Sequence, residues 1–352
     1  MLESKPKEER PPLLEEIEIQ KDPRAFKRLI VITVPILFVV SMLYGLVTGS
    51  ISIPLQEVWT ALFYQSNTTE GQIIWDLRLP RILTGALVGA CLAIAGALLQ
   101  GVMRNPLADP GIIGVSAGAG LVAVVMMIVL PQYIQFLPLG AFLGALLTTF
   151  VIYFVAWKGG VSPLRMILAG VAINSLLGAV MSAIMILYSD RVQAVLPWLV
   201  GGLGGRSWPH FSIIWPYALI GMVLSVFAIK HANILLLGDD VAKLLGNQVE
   251  KSRAFLILLA TFLAGAAVSV AGLIGFVGLV VPHIVRLIVG NDYRFLLPIS
   301  AIGGAFIVVL ADTAARSWFE PIELPVGILL ALLGAPFFLY LLRGGMKSWK
   351  MS

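Results

Sequence analysis

Apolar stretches long enough to cross a hydrocarbon layer, which takes about 20 helical residues, follow one another along almost the whole chain. Ten are predicted, at approximately Leu29–Thr48, Leu79–Gly101, Ile112–Leu130, Leu137–Trp157, Leu164–Tyr188, Phe211–Ile229, Phe255–Ala271, Leu273–Gly290, Pro298–Ala315 and Leu324–Leu342. Gly275, Gly278 and Pro282 interrupt the eighth, which predicts a short or broken helix there. Composition points the same way. Hydrophobic residues make up 59% of the 352 and charged residues 12%, against roughly 45–50% and 25% in soluble domains. The fold class expected is an all-α polytopic membrane protein.

Orientation follows from Lys and Arg, which concentrate in segments that stay in the cytoplasm. Ten spans put both termini on one side. With the N-terminus inside, 19 of the 24 basic residues lie in inner segments. Only Arg78, Arg81, Arg191, Arg206 and Arg316 remain in outer ones. The net charge of +5 therefore reflects topology rather than a nucleic-acid surface. Residues 1–28, rich in Glu, Lys and Pro, precede an apolar span without a small-residue cleavage site. They are expected to form a disordered cytoplasmic tail, residues 29–343 the membrane domain, and residues 344–352 a second cytoplasmic tail.

The missing chemistry narrows the function. One cysteine, Cys91, excludes an internal disulfide and a cysteine metal site. His210, His231 and His283 share no ligand spacing and are expected to be structural, with no metal bound. Asp312 is the one acidic residue well inside a span. An ion-coupled secondary carrier needs ionisable groups at membrane depth, so it is the weaker alternative. No G-x-x-x-x-G-K-[ST] loop is present, so the chain is not expected to be an enzyme, and uphill transport would draw energy from another subunit. A purely structural scaffold would need no long inner loop such as Leu235–Arg253.

Small residues recur in the spans, as helices that approach closely in lipid require. Gly89–Gly96 and Gly265–Gly272 share the pattern G-A-x-x-x-x-x-G on spans of opposite direction, a hint of an inverted repeat. Between the second and third spans, "RNPLADPG" (Arg104–Gly111) reads as a corner. Pro106 and Pro110 stop a helix, while Asn105 and Asp109 can bond the freed backbone groups, with Gly111 next.

"RLPR" (Arg78–Arg81), "GALLQGVMRNPLADPGIIGVSAGAG" (Gly96–Gly120), "GFVGLVVPHIVR" (Gly275–Arg286, with Pro282 and His283) and "ELPVGILLALLGAPFFLYLL" (Glu323–Leu342) strongly resemble one family. It is the permease family of ATP-binding-cassette importers for iron–siderophores, haem and vitamin B12. The resemblance runs from about Leu29 to Arg343. It implies the type II importer permease fold of about ten transmembrane helices, in a bacterial or archaeal cytoplasmic membrane. It also implies a homodimer or a heterodimer of similar subunits, two cytoplasmic ATPase subunits that hold ATP and Mg, and an extracytoplasmic binding protein. This chain itself is expected to bind no cofactor, and an iron–siderophore is the first expectation for cargo, haem or cobalamin the second.

The resemblance assigns residues as well. Arg78, Arg81 and Arg316 are expected to receive acidic residues of the binding protein, for which the planar Arg fork is suited. The loop Leu235–Arg253 would dock on the ATPase. Gly238, Ala242 and Gly246 are read as punctuating two short helical pieces in it, with Asp239 and Asp240 at the first helix start. On the fifth span Asn174, Ser175, Ser182 and Met185 either pack within the bundle or, as the family implies, line the translocation pathway.

Overall fold

The computed structural model describes residues 23–49, 51–64, 68–158, 160–319 and 322–345, with side chains described between 29 and 340. The tails expected over 1–28 and 344–352 lie outside the described residues, apart from 23–28 and 344–345, which continue helices. In chain order the helices are α1 (Pro23–Val47), α2 (Leu55–Tyr64), α3 (Thr69–Gln72), α4 (Leu79–Met103), α5 (Val115–Val124), α6 (Leu137–Ala156) and α7 (Pro163–Leu187). After them come α8 (Val192–Val200), α9 (Trp208–Leu236), α10 (Asp239–Leu244), α11 (Val249–Ala271), α12 (Val277–Val289), α13 (Tyr293–Ser317) and α14 (Val326–Gly345). A π-helical turn, Ile73–Arg78, joins α3 to α4, and a second, Val125–Val129, extends α5.

Each of the ten predicted spans falls on one long or apolar helix: α1, α4, α5, α6, α7, α9, α11, α12, α13 or α14. Seven are long and apolar enough to cross a membrane, whereas Val115–Val129, α12 and α14 are shorter. The interrupted eighth span begins as a helix only at Val277, after Gly272 and Phe276 take positive φ of 73° and 67°. Pattern reading passed over α2, α3 and α8, which are too short to span. Of these, α2 exposes Leu55, Trp59 and Phe63 on one face and buries Val58 and Ala61. That is the pattern of a helix lying in an interface plane.

Helix α4 is the axis of the bundle. All its residues except Leu79, Leu83 and Leu87 are buried, and α13, α11, α9 and α12 surround it. Two glycine contacts set the spacing. A Cβ placed on Gly89 would lie 2.1 Å from the Gly304 carbonyl oxygen of α13, and one on Gly96 would lie 1.8 Å from the Gly278 oxygen of α12. The backbones touch, so only glycine fits. The matching residues of the suspected repeat behave differently. Gly265 faces the Phe142 ring and Gly272 ends α11 at positive φ, so the eight-residue likeness does not extend to equivalent contacts.

Irregular backbone inside the bundle satisfies its polar groups internally, as burial away from water requires. The Gly202 amide donates to the Ala271 oxygen (2.8 Å), Leu273 to Trp198 (3.2 Å) and Gly327 to Gly201 (3.0 Å). These bonds knit the segments after α8 and α11 to the start of α14.

Candidate functional site

Polar chemistry gathers at the two ends of α4. At its N-terminal end, Arg78, Arg81 and Arg316 come together and turn inward, with 4%, 9% and 6% of their surfaces exposed. The Arg78 guanidinium donates to the carbonyls of Leu46, Val47 and Ile51, clamping the end of α1. Arg81 grips both oxygens of Asp312 (2.8 and 3.0 Å) and reaches Glu323 (2.9 Å). Arg316 donates to the Gly45 carbonyl. A Cβ on Gly49 would sit 3.1 Å from both Arg316 and Arg78, so these two cations are neighbours. Among the described residues neither has a carboxylate partner. The Arg81–Asp312 pair escaped sequence reasoning, yet its signal was present, since a lone acid within a span requires a cation.

At the opposite end, α4 closes on Arg104 in the left-handed conformation (φ 46°). Arg104 pairs with Asp239, the first residue of α10. Arg253 of α11, 4% exposed, donates to both Asp239 oxygens at 3.1 Å and to the Val161 carbonyl at 2.8 Å. Glu250 accepts from Arg253 (3.3 Å) and from the Val161 amide (2.9 Å). Partial burial pushes the Asp239 carboxyl up, but Arg253 and Arg104 outweigh it and hold that group below the usual carboxylate range.

The loop expected to contain two short helical pieces has one, α10. The chain beyond Gly246 enters the first turn of the long α11, which starts at Val249 rather than near Phe255. Gly238 (φ 98°) and Gly246 (φ 76°) bracket α10, both needing glycine's freedom. Ala242 lies inside the helix and is fully buried, so it anchors α10 instead of breaking it. Asp240 is exposed. Leu244 and Leu245 are 88% and 64% exposed, an uncovered apolar knob at this end.

The Arg104–Gly111 corner is held by its own side chains. Asn105 accepts from the Leu107 amide (2.9 Å) and Asp109 from the Gly111 amide (2.8 Å), while Pro106 is half-buried and buried Pro110 opens the 3₁₀ turn Pro110–Ile113. Burial pushes the Asp109 carboxyl up, partly offset by the Gly111 amide. Pro282 is buried within α12, and the next residue, half-buried His283, has no partner at Nδ1 among the described residues.

On α7 the four singled-out residues part company. Asn174 donates to the Gly111 carbonyl of the corner (3.0 Å), and Met185 packs on the Val124, Ile128 and Val195 cluster. Ser175 and Ser182, seven residues apart, are exposed, Ser175 bonding its own helix at Val171.

The fold is that of an ATP-binding-cassette permease. The chain matches the FecCD transport family over residues 37–344 and belongs to it. It is 42% identical over 310 residues, 88% of this chain and 93% of the relative, to the Fe(3+)-citrate import system permease protein YfmD of Bacillus subtilis. It is 46% identical over 273 residues, 77% of this chain and 73% of the relative, to the cobalamin import system permease protein BtuC of Halobacterium salinarum. Among solved structures, an inward-facing metal-chelate type ABC transporter superposes with a TM-score of 0.78 at 30% identity, covering 90% of this chain and 99% of that one.

Proposed function

We propose that the chain is the translocation subunit of an ATP-driven importer that moves an iron–siderophore or related ferric chelate inward, with both termini cytoplasmic. Its Arg104 end then faces the cytoplasm, and α10 is its contact with an ATPase subunit. The observation that carries this is the apolar knob of Leu244 and Leu245, left bare on a six-residue helix in a chain of this family. ATP and Mg belong to two partner ATPase subunits, and this chain binds neither. ATP acts through its different affinity for two states of the assembly, transmitted as alternating access.

A second permease subunit, identical or similar, would cover the open face of α7, which includes exposed Leu168, Val171, Leu176, Val180 and Ile186. Ser175 and Ser182 would then face the shared pathway, with Asn174 and Met185 holding the helix in place behind them. The Arg78 end would receive a binding protein. Of its three arginines only Arg81 holds carboxylates, Asp312 and Glu323, which leaves an excess of positive charge that would attract acidic residues over a Debye length of about 8–10 Å. Haem or cobalamin is the second reading for cargo, favoured by the 46% identity to a cobalamin permease.

The test replaces Leu244 by Asp and, separately, Gly246 by Trp in membranes that also contain the ATPase. Both variants should insert but lose the ATPase on affinity purification and lose uptake of radioactive iron. An ATPase that stays bound to both overturns the α10 assignment. Orientation is read separately: Ser189→Cys should react with an impermeant maleimide in intact cells, and Lys243→Cys should not.

A further inference from the structure

The Arg104 end holds a device that the docking of α10 does not by itself require. Asp239 is shared: Arg253 on α11 donates to both its oxygens, and Arg104 at the cap of α4 donates to one of them, Oδ1, while also donating to the Leu235 carbonyl at the end of α9 (3.4 Å). One carboxylate thus ties α10 to α4 and α11, and Arg104 carries the link on to α9. Apart from these ties and the burial of Ala242, α10 stands clear of the bundle: Val241, Lys243, Leu244, Leu245 and Gly246 are exposed.

Arg104 occupies a backbone position that suits another residue better. At φ 46° a side chain other than Gly, Asn or Asp is strained, by about 1 kcal/mol or more. Glycine there would cap the helix at less cost. An arginine held at a glycine position, with its guanidinium given to the first residue of α10, is better explained by what its side chain does than by the turn it sits in.

We infer that Arg104, Asp239 and Arg253 form a clamp that transmits displacement of α10 to the central helix α4. They are positioning residues for the transport cycle, acting after the ATPase has docked. The inference rests on α10 being the ATPase contact. The helix α4 is suited to receive such a push because its backbone touches α13 and α12 at Gly89 and Gly96, so it cannot shift without moving them.

The experiment uses the complete transporter, purified with its ATPase and reconstituted in liposomes with its binding protein. Ferric citrate and ferric hydroxamates serve as probes, and iron moved per ATP hydrolysed is the readout. Arg104→Gly removes the tie and relieves the backbone. The variant complex should assemble with an unfolding midpoint at or above the parent's and continue to hydrolyse ATP. Iron moved per ATP should fall about fivefold or more. Arg104→Lys, which restores a cation without the fork, should recover part of the loss, and Arg253→Lys should behave alike. Unchanged iron per ATP in Arg104→Gly overturns the clamp, as does loss of the ATPase from that variant, which would make Arg104 a docking residue. Failure of the underlying reading is distinguishable, because it shows as retention of the ATPase by Leu244→Asp.

Discussion

Helices α4 and α7 have the same length, 25 residues, and both are apolar enough to span a membrane, yet 22 residues of α4 are buried and two of α7. Both are apolar all round, and both contain Gly and Ala. What separates them is where the small residues point. On α4 they meet other backbones of the same chain, as at Gly89 and Gly96, whereas on α7 Gly170 does so against the Ile112 carbonyl but a Cβ added to Gly178 would meet nothing within 4 Å among the described residues. In lipid no hydrophobic force drives helices together, so close packing and polar contacts decide which faces associate. A helix with small and polar residues on an open face is therefore poised for a neighbour, and hydropathy alone does not reveal whether that neighbour lies in the same chain.

The sharpest test of this contrast is a matched pair of substitutions. Gly89→Leu drives a side chain into the Gly304 backbone and should leave no folded protein on detergent extraction and size-exclusion chromatography. Gly178→Leu should change monomer stability by less than about 0.5 kcal/mol while abolishing the permease pair. A Gly178→Leu chain that fails to fold would break the comparison.

Arg81 comes next in size, because it is the one charged residue buried within α4. Arg81→Met strands Asp312 as an unpaired buried charge, at a cost of about 3–5 kcal/mol, and should lower the thermal midpoint markedly. The double variant Arg81→Met with Asp312→Leu should recover most of it. A smaller loss, about 1 kcal/mol, is expected for Asn174→Ala, which removes the α7 bond to the Gly111 carbonyl. Chemical denaturation of the solubilised chain measures both.

The smallest effect concerns pH at the C-terminal end of α4. Because Arg253 and Arg104 depress the folded value of Asp239, its pairing contributes stability that is fully present above the ordinary aspartate value. That contribution is lost as pH falls through the depressed folded one. Asp239→Asn should flatten the acid limb of the midpoint-versus-pH curve, and an unchanged limb would show that the pairing contributes nothing to stability.

The ten apolar segments were legible because the bilayer imposes one length and one polarity on every span. The corner at Arg104–Gly111 was legible as well, since Pro, Asn and Asp act there on their own local backbone. Pairings across the chain were not. Nothing near Asp312 in sequence names Arg81, 231 positions away, and nothing near Asp239 names Arg104, 135 positions away. The short helix α2 was missed because its apolar face is only half a helix surface, whereas α10 was legible from Gly238 and the two acidic residues at its start, and only the second short piece expected after it proved to be the first turn of α11. The direction of side chains on α7 was equally hidden, since Ser175 and Asn174 are adjacent in sequence but face opposite environments.

The π-helical turn Ile73–Arg78 holds one residue more than an α-helical turn would. Loss of one codon there, for instance that of exposed Leu77, should convert the turn to regular helix and leave α4 in place. The elements directly before it, α3 and α2, would then be turned by about 100° around the helix axis. That rotation would pull Val58, Ala61 and Ile74 out of the buried cluster they form with Leu46 and Ile82, so a single surplus residue decides how the whole preceding segment is seated on the bundle.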